Sequence, residues 1–135
     1  MTDSPTEKTL EQGVAEYCIL MQKSYIQTYD GMSEKRPENA HYYKAQIKDY
    51  CDGMIIEPTQ KYIKIWNGEI DDRGNPKKRS IAAFVVRANN VKTTKGGFFK
   101  VGDILKPAST AGPARNFARG NVLNKMPTGV RWTGA

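Results

Sequence analysis

At 135 residues, 39% hydrophobic and 26% charged, the chain has the size and composition of one globular domain with a real core, and no apolar run is long enough to cross a bilayer. Its net charge of +7 is unevenly placed: residues 1–60 hold 6 Lys/Arg against 10 Asp/Glu, whereas residues 61–135 hold 15 against 4. Such polarity directs the second half towards a polyanion or a phosphate-bearing ligand and leaves the first half to pack, oligomerise or face solvent.

The start, MTDSPTEKTLEQ, is polar and acidic, with no basic region followed by an apolar block, so a secretory signal is not expected. The expected location is the interior of a cell. Cys18 and Cys51 stand far apart in no metal-type spacing and read as reduced, packed thiols. His41 is the only histidine, which leaves neither a multi-histidine metal site nor a Ser-His-Asp triad to assemble. No metal or other cofactor and no catalytic constellation is expected, and a non-enzymatic role follows.

Ser4-Pro5-Thr6-Glu7 carries the signature of a helix start, with a capping serine, a proline at the first position and a carboxylate that reaches back. Leu10, Val14, Tyr17, Met21, Tyr25 and Tyr29 then recur at spacings of three and four, drawing one apolar stripe until Asp30-Gly31 ends it. Gly13 is the weak point of that helix. A second helical pattern runs from about Glu38 to Asp52, entered through Pro37 and closed by Gly53, with Tyr43, Ile47, Tyr50, Cys51 and Met54 along one side. The short polar connection suits an antiparallel helical hairpin. Its tyrosine stripe is core, or a seam through which the helices self-associate.

From Lys61 the period changes from helical to alternating. Ile63 and Ile65 share one face of a strand, and Tyr62, Lys64 and Trp66 share the other. Gly68 to Arg79 reads as a polar loop ending in Lys77-Lys78-Arg79. Asp71 and Asp72 sit there among turn formers, and further metal ligands are missing. Ser80 to Arg87 is an apolar run that suits a central strand, paired with the first as a hairpin. After a turn at Asn89-Asn90, Phe98-Phe99-Lys100-Val101 and Ile104-Leu105-Lys106 give one bent strand or two short ones.

Lys106 to Asn121, KPASTAGPARNFARGN, is the most specific stretch. Pro107 and five small residues form a loop, and Pro113 can start a short helix, Ala114 to Arg119, that would point Arg115 and Arg119 from one face. Lys106, Ser109, Arg115, Arg119 and Asn121 are the candidate phosphate-binding residues, with free amides at the helix start as further donors. The alternative pairs the arginines with Glu11, Glu16 or Asp49 and leaves Asn116 and Asn121 to cap turns.

Residues Val101 to Val122 resemble the closing segment of a group of small tailed-phage proteins of unknown function. The likeness is carried by Gly102, Asp103, Lys106, Ala108, Ser109, Pro113, Ala114, Arg115, Ala118, Arg119, Gly120 and Asn121. Thr110 departs from that group, in which an aromatic follows the serine. The resemblance implies a phage origin, and with it the cytoplasm of a host cell or a virion as the location, and no particular chemistry.

The expected fold is α+β: an N-terminal helical hairpin packed on a small antiparallel sheet, followed by a short C-terminal helix, in one domain over 1–135. The helical half covers about 5–53 and the basic sheet half about 61–135. The expected function is nucleic-acid binding, with Tyr62, Lys64, Trp66, Lys77, Lys78, Arg79, Phe98, Phe99 and Lys100 supplying stacking and groove contacts. The alternatives are capture of a phosphorylated small molecule, such as a nucleotide signal of host defence, and a protein–protein role in the virion or against a host factor.

Overall fold

A computed structural model describes residues 8–135. Two helices, α1 (Leu10–Lys35) and α2 (Ala40–Gly53), are joined by a single 3-10 turn at Pro37–Asn39. Four strands follow: β1 (Ile55–Pro58), β2 (Tyr62–Ile70), β3 (Pro76–Val86) and β4 (Ile104–Leu105). They form one antiparallel sheet in the order β1-β2-β3-β4. The class is α+β.

The helix start expected at Ser4–Glu7 lies outside the described residues. Within them, Thr9 caps α1: its hydroxyl accepts the Gln12 amide at 3.2 Å while the Gln12 side chain accepts the Thr9 amide at 2.9 Å. Asp30-Gly31 does not end α1, contrary to expectation. Gly31 costs a helix only about 1 kcal/mol, Ser33, Glu34 and Lys35 propagate it, and the chain stops where Pro37 disfavours helical geometry at Arg36.

The β2–β3 hairpin is longer than its sequence signal. The loop expected over Gly68–Arg79 shrinks to a turn closed by Asp71, whose amide donates to Asn75 and whose carboxylate accepts the amides of Arg73 and Asn75, each at 2.9 Å. Asp71 is thus occupied as a turn former. Lys77, Lys78 and Arg79 lie in β3. Strand β1 has no counterpart in the sequence reading. It pairs Ile55 with Trp66 and Pro58 with Ile63, and its edge position tolerates the proline. The strand expected at Phe98–Val101 is absent, because that segment pairs only through an isolated Lys92–Phe98 bridge.

The sheet is covered on both faces. On one, Ile63, Ile65, Ala83, Val85 and Ile104 pack with Val14, Tyr17, Cys18 and Met21 of α1 and with Val122. On the other, Phe84, Val86 and Leu105 meet Val91 and Phe99 from the loops, with Tyr62 and Ala118 at the margin. Alternation along β3 sends Phe84 and Val86 to the loop face and Ala83 and Val85 to the helix face. The tyrosine stripe that would carry self-association is spent inside the chain, with Tyr17 1% and Tyr25 6% exposed.

Gly13 is explained by this packing. A Cβ there would lie 2.6 Å from the Val122 carbonyl oxygen, whereas one at Gly31 would meet nothing within 4 Å. Gly13→Ala should therefore destabilise by about 1–3 kcal/mol through overlap, while Gly31→Ala should stabilise by about 0.5–1 kcal/mol through helix propensity. Denaturant titration of the two variants checks both signs.

Candidate nucleic-acid interface

The helix expected at Ala114–Arg119 does not form, because its backbone is committed to distant partners. The Ala114 amide donates to Lys106 at 2.8 Å and the Arg119 amide to Ile104 at 2.7 Å, while the Arg115 carbonyl accepts Thr94 at 2.8 Å. Pro107 and Pro113 face one another as an isolated bridge. The loop between them is closed upon itself. Ala108 and Ser109 donate to the Gly112 carbonyl at 3.1 and 3.0 Å, and the Ser109 hydroxyl accepts Ala111 and Gly112 at 3.2 and 3.3 Å. These amides face inward, so the loop presents no cluster of free N–H groups to an anion, and Ser109 is a turn-closing residue.

Without a helix, Arg115 and Arg119 lose their common face. Arg119 lies over the Phe117 ring, 4.0 Å from its centroid, and its buried Nε has no partner. It borders a groove of about 520 Å³ together with Lys125 and Asn121. Arg115 reaches the surroundings of Tyr62: burial raises that phenol's pKa and the Arg115 charge opposes the rise. The ion pairs weighed as the alternative do not form among the described residues. Glu16 is held by Lys8 and Asp49 accepts the Ile70 amide.

Three other candidates are internal. Asn121 is 7% exposed and all its amide capacity is engaged. Its nitrogen donates to the Val101 carbonyl at 3.1 Å and to Asp103 at 2.9 Å, and its oxygen accepts Leu123 and Asn124 at 2.7 and 3.2 Å. Phe99, 6% exposed, belongs to the core beneath the loops. Trp66, 9% exposed, donates its indole N–H to Glu57 at 3.1 Å and lies under Lys78, whose ammonium is 4.9 Å from the ring and 2.7 Å from the same carboxylate. The Lys78 hydrogen bond, then that of Trp66, holds the Glu57 carboxyl below the usual range. Trp66 and Phe99 are closed to a stacking base.

What the chain does assemble is a run of cations with two open aromatic rings. Lys64 on β2 donates to the Thr110 carbonyl at 3.0 Å, and Tyr62 stands edge-on to Phe84 with centroids 5.4 Å apart. Arg115, whose charge acts on the Tyr62 phenol, is joined through the Thr94 bond to a tight loop, residues 92–98. There the Thr93 hydroxyl accepts Lys95 and Gly97, each at 3.2 Å. Lys92 and Lys95 on that loop are exposed, as is Lys100 just beyond it. Phe98 is 58% and Phe117 52% exposed. No family model, curated protein or solved structure matches the chain. Of the Phe98-Phe99 pair expected to stack, Phe98 is exposed and Phe99 is buried, and sequence reasoning missed the exposed Phe117, whose only signal was its place between Arg115 and Arg119.

The electrostatics of the basic half are uncompensated. Among the described residues, Lys78 alone of the 15 cations in 61–135 pairs with a carboxylate. Of the four carboxylates in that half, Asp71 and Asp103 accept backbone amides, the latter from Lys100 at 2.8 Å. Among the described residues no three His, Cys, Asp or Glu side chains converge as a metal site would need.

Proposed function

We propose that the protein binds single-stranded nucleic acid along the face that runs from Tyr62 and Lys64 through Arg115 and Phe117 to the 92–98 loop. One observation carries the reading: two half-exposed phenylalanines stand among cations that have no carboxylate partner. An exposed phenyl ring is costly in water and offers a platform on which any base can stack, while lysines and arginines left unpaired follow the phosphate backbone. Phe117, already backed by Arg119, is the centre of that platform. The likeness of residues 101–122 to small tailed-phage proteins makes a phage-encoded accessory role the setting we propose.

Fluorescence anisotropy with a labelled single-stranded oligonucleotide tests it. Binding should be measurable at low salt, fall steeply between about 50 and 200 mM salt, and weaken about tenfold in Phe117→Ala. No binding at low salt overturns the proposal, and binding indifferent to Phe117 removes the stacking part.

A further inference from the structure

A second cavity lies away from that face, between the two helices, the β2–β3 hairpin and the segment around Trp132, with a volume of about 410 Å³. We infer that this cleft binds a nucleoside monophosphate, its base against Tyr29 and Trp132 and its phosphate on Arg79. The inference is independent of the proposed strand-binding face and uses other residues.

The aromatic wall is preorganised. Tyr25 and Tyr50 stack with centroids 4.1 Å apart and planes at 7°, and Trp132 stands at right angles to both, 5.2 and 6.3 Å away. Two hydrogen bonds fix the tryptophan: its carbonyl accepts the Tyr50 hydroxyl at 2.9 Å and its amide donates to the Ser24 hydroxyl at 3.1 Å. Tyr29 continues the wall, 4.6 Å from Tyr25. Tyr25 and Tyr50 are buried and spend their ring faces on each other, so the half-buried Tyr29 and Trp132 carry the surface that fits a flat ring, and the cavity volume falls in the range of small-molecule pockets.

The opposite wall supplies the polar groups. Gly53 of α2 presses so closely on Gly68 that a Cβ on either would collide with backbone, and the β2 register shifts between Asn67 and Gly68. A bulge of this kind re-aims a side chain. The Oδ1 atom of Asn67 lies buried at the cleft with no donor. A buried amide oxygen without a partner is costly, and an N–H on a base edge would satisfy it. Arg79 also lines the cleft and has no carboxylate partner among the described residues. The one acidic lining residue, Asp49, uses an oxygen on the Ile70 amide at 3.1 Å. Arg79 is the one cation that lines the cleft, and a guanidinium is suited to hold a phosphate.

The test is calorimetry and thermal shift on the full chain with each of the four common nucleoside monophosphates, the matching nucleosides and inorganic phosphate. At least one monophosphate should bind saturably, at least tenfold tighter than its nucleoside and than phosphate alone. It should also perturb the emission of Trp132, which the sealed Trp66 would not report. Arg79→Gln should weaken it at least tenfold while leaving oligonucleotide binding at the 92–98 face unchanged. Asn67→Leu should raise the Tm of the free protein by removing the unpaired oxygen, yet lose the ligand. An oligonucleotide that displaces the monophosphate identifies a strand nucleotide as the source, and failure to displace identifies the free nucleotide. No monophosphate binding, or binding unaffected by Arg79→Gln, overturns the inference.

Discussion

Replacing Asn121 by alanine should lower stability by about 3 kcal/mol and the Tm by about 10 °C, the cost of leaving several buried groups unpaired. The side chain ties two turns together. Its nitrogen bonds Val101 and Asp103 on one turn, its oxygen bonds Leu123 and Asn124 on the other, and its own amide donates to Lys125 at 2.8 Å. That clamp sets Val122, which is 0% exposed, against Gly13 of α1. Gly102 completes it, with φ at +93° and no room for a Cβ beside the Asn121 oxygen. Asn121→Asp should be at least as damaging, because it removes both donors and sets a second carboxylate against Asp103. Asn124→Ala, at an exposed side chain of the same turn, should change stability by less than about 0.5 kcal/mol. Thermal melts of the three variants decide the matter, and a wild-type Tm in Asn121→Ala would contradict the clamp.

Raising the pH above about 9 should unfold the protein cooperatively, with a loss on the order of 5 kcal/mol by about pH 11. Burial disfavours the charged forms of Tyr17, Tyr25 and Tyr50 and raises all three phenols, and it pushes the Cys18 thiol up to about 12. In the unfolded chain the thiol ionises near 8.5 and the phenols near 10, as model peptides do. Between those values and the raised folded ones, the folded state holds more protons, so stability falls as pH rises. Below about pH 8 both states are protonated and the contribution is complete. With absorbance and circular dichroism followed against pH, a part of the phenolate signal should therefore appear only in step with the loss of the dichroism. The full phenolate signal of all seven tyrosines forming while the circular dichroism holds would show that these rings are not sealed. Cys18→Ala should flatten the earliest part of the decline.

The fold was legible where periodicity is local and strong. Val14, Tyr17, Met21 and Tyr25 marked the buried face of α1, Pro37 and Gly53 bracketed α2, and the alternation of Ile63 and Ile65 marked β2. The misses share a different cause. Strand β1 is four residues long with a proline, and its pairing with β2 is what makes it a strand. Ala114–Arg119 holds good helix formers, yet its backbone bonds go to residues as distant as Thr94 and Ile104, which no local pattern announces. At the site, alternation placed Trp66 beside Tyr62 and Lys64, but Glu57 and Lys78 arrive from neighbouring strands to cover it. Of the residues that carry the expected likeness to phage proteins, Gly102 and Asp103 read as a bend, Gly120 as a helix end and Asn121 as a phosphate-binding residue. In the structure Gly102, Asp103 and Asn121 meet in the clamp, and the Gly120 carbonyl accepts the Ile104 amide at 2.8 Å. That resemblance therefore falls on residues that build the fold more than on those that face a ligand.

The central claim is that unpaired cations on the 92–98 loop and at Arg115 neutralise the phosphates of a single strand. The most direct measurement is the salt dependence of oligonucleotide affinity for the wild type and for the triple variant Lys92→Ala, Lys95→Ala, Arg115→Ala. Each lost phosphate contact should reduce the slope of log affinity against log salt by about 0.7, so the triple variant should lose about 2 units of slope and bind more weakly at low salt. An unchanged slope with unchanged affinity would contradict the claim.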